Sequence, residues 1–356
     1  MVPGRSWAPV RSDASDAYTG DPQRRAPAMT VLVVGGAGYI GSVTVRALLG
    51  AGRTVVVYDD LSTGFRAAVP AGVAFVQGST HDAAALEAVV AEHGVDVAVH
   101  FAAKKAAGES MNQPERYFAE NVAGSNTLLG ALVRAGVHRV VFSSSAAVYG
   151  NATQLPIHED SPKHPENPYG ESKLIVEQML GWFDRCHGLR SVSLRYFNAA
   201  GATDDGAVGE DFAHSTNLVP VLMKAVLGRR GPLEVFGTDY PTRDGTAIRD
   251  YVHVEDLAAG HVRAVEYLER GGSTTSINLG TARGSSVWEI VRAAEAVIGA
   301  PVPHVAAPRR AGDAVELYAD ISRARALLGW EPVRNINAIM ESEWKWRQHR
   351  PDGFGA

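Results

Sequence analysis

Val31-Leu32-Val33-Val34-Gly35-Gly36-Ala37-Gly38-Tyr39-Ile40-Gly41 is a continuous apolar run that breaks into glycines and then resumes with helical periodicity. The pattern predicts a buried strand, a phosphate loop and a helix. Gly36, Gly38 and Gly41 satisfy the dinucleotide fingerprint, and Gly35, Gly38 and Gly41 satisfy its three-spaced variant, so two registers of the loop stay open. Glycines let the backbone come close to a pyrophosphate, and the free N–H groups at the helix start, from Tyr39 and Ile40 onward, point at the anion. A glycine-rich turn between core elements would carry the same letters, so the rest of the chain has to decide.

The chain has 356 residues, 46% hydrophobic and 21% charged, enough for a large core and two lobes. A formal charge of -5 leaves no electrostatic footprint for nucleic acid or an anionic membrane. The single cysteine, Cys186, excludes an internal disulfide, fits a reducing, cytoplasmic compartment and reads as a small core hydrophobe on a helix. Residues 1–28 hold no apolar block, so they read as a disordered tail and neither as a signal peptide nor as a membrane span. Met29, just before the first strand, is the expected natural start. The histidines are scattered and no cluster has metal-site spacing; His253 and His261 read as ordinary loop and helix residues.

Beyond the loop, a second buried strand at 55–58 stops at Asp59-Asp60. An acidic residue about 20 positions past the loop, at a strand's carboxyl end, is placed to bind ribose hydroxyls, so Asp59 argues for NAD over a 2′-phosphorylated cofactor. Strands at 73–76, 95–101 and 139–142 alternate with helices at 82–93 and 114–135, the doubly wound pattern. Ligand-facing residues lie at the carboxyl ends of such strands, where Lys105 and Ser143-Ser144-Ser145 fall, although a serine cluster is also ordinary loop chemistry.

Asn167-Pro168-Tyr169-Gly170-Glu171-Ser172-Lys173 opens a helix with Asn167 as N-cap and Pro168 as first residue, so Tyr169 and Lys173 share a face one turn apart. A phenol has a reference pKa near 10, and a lysine ammonium, a helix N-terminus and a nicotinamide cation each favour the phenolate. An ammonium at about 4 Å and an effective dielectric of about 20 is worth about 4 kcal/mol, so Tyr169 is expected to serve as a base. A helical tyrosine with an exposed lysine has the same spacing. After a strand at 190–197 the texture changes: helices at 218–227, 256–270, 287–298 and 322–347 interleave with strands at 233–236 and 277–279. The expected architecture is α/β, a doubly wound Rossmann-type parallel sheet over 29–198 with a smaller mixed α/β substrate lobe over 199–350, some of whose elements return to the main sheet.

The glycine loop, the serine-rich strand end and the YxxxK helix stand in the order of an extended short-chain dehydrogenase/reductase. The chain most resembles the UDP-galactose (UDP-glucose) 4-epimerases of that family, from Val31 to about Trp346. Further blocks carrying the resemblance are His100-Phe101-Ala102-Ala103, Phe142-Ser143-Ser144-Ser145-Ala146, Arg195-Tyr196-Phe197-Asn198, Arg249-Asp250-Tyr251-Val252-His253-Val254 and Ala307-Pro308-Arg309-Arg310.

The resemblance implies tightly bound NAD, oxidation of a UDP-sugar at C4 and re-reduction on the other face. It implies Tyr169 as base, Lys173 on the nicotinamide ribose and Ser145 bridging the reacting hydroxyl. Asp59, Asp60, Ser79, Thr80, Phe101, Ala102, Ala103, Lys105, Asn121 and Tyr196 fall at cofactor positions. Asn198, Asn217, Leu218, Phe236, Arg249, Arg310 and Asp313 fall at UDP-sugar positions, in keeping with the arginine forks a diphosphate wants. It also implies a homodimer packed through 114–135 and 169–187.

Three departures stand out. Gly78-Ser79-Thr80 lacks the aspartate that relatives often place beside the adenine, Ala147 replaces a frequent threonine, and Leu317 occupies a position associated with acceptance of N-acetylated sugars. UDP-GlcNAc, UDP-GalNAc and UDP-pentoses therefore stay open as substrates. Competing chemistries on the same frame are a decarboxylase and a 4,6-dehydratase, but Ala146-Ala147 offers the latter no acid. A non-catalytic NAD or nucleotide-sugar binder is disfavoured by Ser145, Tyr169 and Lys173 occurring together.

Overall fold

Runs of β-branched residues alternate with amphipathic helices and build a parallel sheet covered on both faces. The computed structural model describes residues 29–213, 215–310 and 313–355; the tail expected at 1–28 lies outside the described residues. In the first part of the chain lie β1 (Thr30–Val34), β2 (Thr54–Asp59), β3 (Ala74–Gln77), β4 (Val97–His100), β5 (Arg139–Ser143) and β6 (Arg190–Tyr196). Shorter strands follow: β7 (Asn198–Ala200), β8 (Leu233–Phe236), β9 (Ile248–Arg249), β10 (Tyr251–His253), β11 (Thr275–Leu279), β12 (Ser285–Ser286), β13 (His304–Ala307) and β14 (Glu316–Leu317). The helices are α1 (Tyr39–Gly50), α2 (Ala83–His93), α3 (Ala107–Asn112), α4 (Pro114–Tyr117), α5 (Gly124–Arg134), α6 (Pro168–His187), α7 (Leu218–Val226), α8 (Val254–Glu269), α9 (Val287–Ile298), α10 (Ser322–Leu328) and α11 (Ile336–His349).

Seven strands form the main sheet in the order β11-β6-β5-β4-β1-β2-β3, with every neighbouring pair parallel. Successive residues of β1 face opposite sides: Val31 and Val33 join a core with Leu48 of α1 and Leu257 and Val265 of α8, while Leu32 and Val34 join Leu86, Leu128 and Leu180 of α2, α5 and α6. Because both faces are buried, the strands read as unbroken apolar runs. β11 enters this sheet from the late part of the chain. The second lobe pairs β8 with β13, β7 with β10, and β9 with both β12 and β14, over a core of Leu222, Met223, Ile290, Ile339 and Met340.

Caps explain the helix ends. Asp82 accepts from Ala85 N at 3.0 Å to start α2, and Asn167 Oδ1 accepts from Gly170 N at 2.9 Å to start α6. Three expectations change. The helix expected over 114–135 contains a π-helical turn, Phe118–Ala123, between α4 and α5. The helix expected over 322–347 is broken, because Gly329 ends α10 in the left-handed region (φ 59) and Pro332 follows before Asn335 caps α11. Cys186 is on α6 but exposed, not in the core: the buried stripe of that helix runs through Ser172, Lys173, Val176 and Leu180, and Cys186 falls off it. Among the described residues no helix is long and apolar enough to cross a membrane.

Candidate active site

Parallel pairing puts every carboxyl end of the main sheet on one edge, where the glycine loop, Asp59, Phe101-Ala102-Ala103 and Ser143-Ser144-Ser145 fall, while Asn217, Phe236, Arg249, Arg310 and Asp313 belong to the second lobe. Gly35, the first residue after β1, has φ 82, and a Cβ on it would lie 2.5 Å from Ala102 N. The loop after β1 is thus pressed on the loop after β4, whose Phe101 and Ala102 amides both donate to Val34 O at 2.8 and 3.1 Å. Gly41 packs on Gly35 O and Gly36 on the Val57 side chain, whereas Gly38 meets only Gly35 O at 3.4 Å. Gly38 is the N-cap of α1, and no described side chain caps the N–H groups of Tyr39, Ile40 and Gly41. Those donors, with the helix dipole behind them, fit a pyrophosphate.

Asp59 ends β2 with 7% of its surface exposed. Its Oδ2 accepts from Ala37 N at 2.9 Å and its Oδ1 from Leu61 N at 2.8 Å, so one carboxylate pins the glycine loop and the following turn. Burial raises its pKa and these two bonds pull it back. Asp60 accepts from Ser62 N at 2.8 Å. Ser79 is held from both ends: its carbonyl accepts from Tyr58 OH at 3.0 Å and its Oγ from His81 N at 3.2 Å, while Thr80 Oγ1 lies under Gly124.

The π-helical turn aims Asn121 inward. Its Oδ1 accepts from Lys104 N at 2.8 Å, and its Nδ2 donates to Lys104 O at 3.0 Å and to Ser172 Oγ at 2.9 Å. Asn121 therefore staples the Ala103-Lys104-Lys105 loop to α6 at Ser172, the neighbour of Lys173.

Ser145 caps the short turn after β5, its Oγ accepting from Ala147 N at 3.1 Å, and its hydroxyl hydrogen-bonds Tyr169. Lys173 is buried and Tyr169 half-buried. Lys173 Nζ donates to Ser143 O at 2.8 Å and lies 4.9 Å from the Phe142 ring centroid and 5.9 Å from that of Tyr169. The expected lowering of the phenol by the lysine is absent in the protein alone. Burial dominates both groups, raising Tyr169 and driving Lys173 down to about 7, and only the Ser145 bond lowers the phenol. Tyr196 hydrogen-bonds Ser143 Oγ, closing the ring of contacts.

In the second lobe, Arg310 lies over the Phe236 ring, 3.8 Å from its centroid, and Arg249 approaches Asp313 at 3.9 Å. Leu317 is the register partner of Arg249, and Asn198 that of Tyr251. Asn217 is the residue before α7 and Leu218 its first. At the opposite, amino-terminal edge of the sheet a groove of about 480 Å³ is lined by Asp96, His138, Arg139 and Arg190, far from all of these residues.

Two features escape a sequence reading. Glu177, one turn past Lys173 on α6, accepts from Ser144 Oγ at 2.5 Å and from Arg195 Nε at 2.9 Å, and Arg195 reaches Tyr149 OH at 2.8 Å, so a buried ion pair fixes the strand end that carries Ser145. Helical spacing from Lys173 is the signal that points to Glu177. Glu210, in a loop with no periodicity, joins Lys105 at 2.6 Å and leaves no sequence signal.

Residues 31–280 match the NAD dependent epimerase/dehydratase family. The chain belongs to that family. The UDP-glucose 4-epimerase of Lacticaseibacillus casei is 48% identical over 328 residues, 92% of this chain and 99% of that protein. Among solved structures, the UDP-glucose 4-epimerase of Brucella ovis in complex with NAD is 46% identical with a TM-score of 0.87, covering 88% of this chain and 97% of that one. The enzyme of Bifidobacterium longum in complex with NAD+ and UDP is 38% identical with a TM-score of 0.85, covering 92% and 100%. As an epimerase/dehydratase family member, the chain has its glycine loop, its Asp59 and its Tyr169–Lys173 helix on one edge of one sheet.

Proposed function

We propose that the protein interconverts UDP-glucose and UDP-galactose, oxidising C4 to a 4-keto sugar and reducing it again on the opposite face. The observation that carries this is the group Ser145, Tyr169 and Lys173, on the sheet that also carries the glycine loop, in a chain whose second lobe supplies Arg249 and Arg310. The relatives above carry the same name, and two have NAD or NAD+ and UDP bound, which supports the reading. Bound NAD supplies a reversible two-electron acceptor, so the cycle has no net redox change. Tyr169 takes and returns the 4-hydroxyl proton, Ser145 aligns that hydroxyl, and Lys173 holds the nicotinamide ribose. The glycine loop, Asp59, Lys105 and Asn121 form the cofactor wall within 29–198. Asn198, Asn217, Leu218, Phe236, Arg249, Arg310 and Asp313 form the UDP-sugar wall, mostly within the 199–350 lobe.

We further propose a cytoplasmic homodimer. Phe118 and Trp182, 38% and 62% exposed on the π-helical turn and α6, offer apolar contact area for it, which light scattering tests. The deciding assay incubates the protein with UDP-galactose and follows UDP-glucose by NMR with no added reductant. Equilibration of the two sugars is expected. Net reduction of the cofactor, carbon dioxide or a stable 6-deoxy-4-keto product overturns the reading.

A further inference from the structure

One carboxylate joins the two walls of the cleft. Lys105 Nζ, from the loop after β4, donates to Glu210 Oε1 at 2.6 Å, and Asn217 Nδ2, from the start of α7, donates to both Glu210 oxygens at 3.1 Å. Lys105 is 52% exposed and Glu210 only 4%, so the acceptor is a desolvated group and the lysine is the partner that stays open to solvent.

Glu210 is fixed independently of both partners. Arg347 of α11 donates to its carbonyl at 2.6 Å, and Gly209 lies so close to Trp346 that a Cβ there would come within 2.5 Å of the indole. Arg347 is itself buried and paired with Glu343 at 2.7 Å.

Asn217 shows what the contact costs. It stands at the N-cap of α7, a place where asparagine usually bonds the helix's first amides, yet its side chain makes no capping bond. Its amide nitrogen serves Glu210, which leaves the first N–H groups of α7 without that cap. A lysine ammonium has three donors and Glu210 takes one of them. The arrangement therefore holds both side chains in place without exhausting them as anion binders.

We propose that Glu210 is a positioning residue that ties the cofactor wall to the UDP-sugar wall through Lys105 and Asn217, preorganising both for their diphosphates; this rests on the epimerase reading above. The Glu210 side chain is only 4% exposed and works through Lys105 and Asn217, so it acts on binding more than on the chemical step.

The test uses Glu210→Gln, which keeps the shape but removes the charge that Lys105 pairs with and sets an amide N–H against the Asn217 Nδ2 donor. Calorimetry should show UDP binding about tenfold weaker, the size of one hydrogen bond to a charged group. Gel filtration should strip NAD that the native protein retains. KM for the UDP-sugar should rise about tenfold while kcat falls no more than about threefold. A shift in Tm with unchanged UDP affinity, NAD retention and KM overturns the proposal.

Should Glu210→Gln not fold, a double-mutant cycle in the native background still decides. Lys105→Met and Asn217→Ala, which share no contact but Glu210, should be non-additive in UDP affinity by at least about threefold; additivity overturns the bridge. A native protein that binds UDP but does not interconvert the sugars removes the epimerase reading, and the calorimetric cycle continues to judge the bridge.

Discussion

Lys173 donates to the carbonyl oxygen of Ser143 at 2.8 Å and stands 5.9 Å from the ring centroid of Tyr169, one helical turn before it. Desolvation disfavours charge on the amine and the phenol alike, so the protein's own groups favour Tyr169 as a phenol. The one interaction that draws it toward the phenolate is the bond from Ser145.

Two substitutions read those roles. Tyr169→Phe should lower turnover by about 10³-fold or more, and Ser145→Ala by about 10²-fold, the range of a lost acid–base group and of a lost orienting bond. Both should retain NAD through gel filtration, checked by the absorbance of cofactor released on denaturation. Full activity in Tyr169→Phe removes it from the mechanism.

Gly35→Ala tests the loop junction. A methyl group there would press on Ala102 N in a backbone with φ 82, and the obstructing atoms are backbone that cannot swing away. A loss of about 2 kcal/mol or more in stability is expected, with release of NAD, measured by denaturant unfolding and cofactor retention.

Arg249→Leu and Arg310→Leu should each raise KM about tenfold or more with smaller changes in kcat, because a guanidinium on a diphosphate contributes charge-assisted binding. Arg310→Lys should recover little, since a lysine loses the planar stack on Phe236. Steady-state kinetics over UDP-sugar concentration check both.

Acid should destabilise the fold through buried histidines. Burial lowers His100 to about 3 and His253 and His261 to about 4, against about 6.5 when unfolded. Between those values the unfolded chain binds more protons at these positions, so their contribution to stability is full above pH 6.5 and falls as pH drops toward 4, by up to about 1.4 kcal/mol per pH unit per histidine, with Glu343, raised to about 7 by burial, offsetting one of them. In His100 the bond from Ser125 to Asn121 O makes Nε2 the donor to Ser125 and leaves buried Nδ1 without a partner among the described residues, so a second proton there has nowhere to go. Thermal unfolding across pH 7 to 4.5 should show the slope, and His100→Gln should flatten it.

Much of the site is legible from local spacing. The strand, glycine loop and helix at 31–41, the carboxylate at the end of β2, and Tyr169 and Lys173 on one turn behind an Asn167 cap are short-range patterns that a parallel sheet delivers to one edge. The π-helical turn is not legible, because the letters of Phe118–Ala123 are those of any helix and only packing on Lys104 and Ser172 turns Asn121 inward.

Periodicity within a dozen residues determined the elements, their caps and the order of the chemistry. Folding alone decided that β11 closes the sheet beside β6, that Lys105 meets Glu210 from 105 positions away, and that burial outweighs the Ser145 bond at Tyr169. The physical reason is the same in each case: strand neighbours, loop-to-loop bonds and desolvation belong to the assembled surroundings of a residue, and no local spacing encodes them.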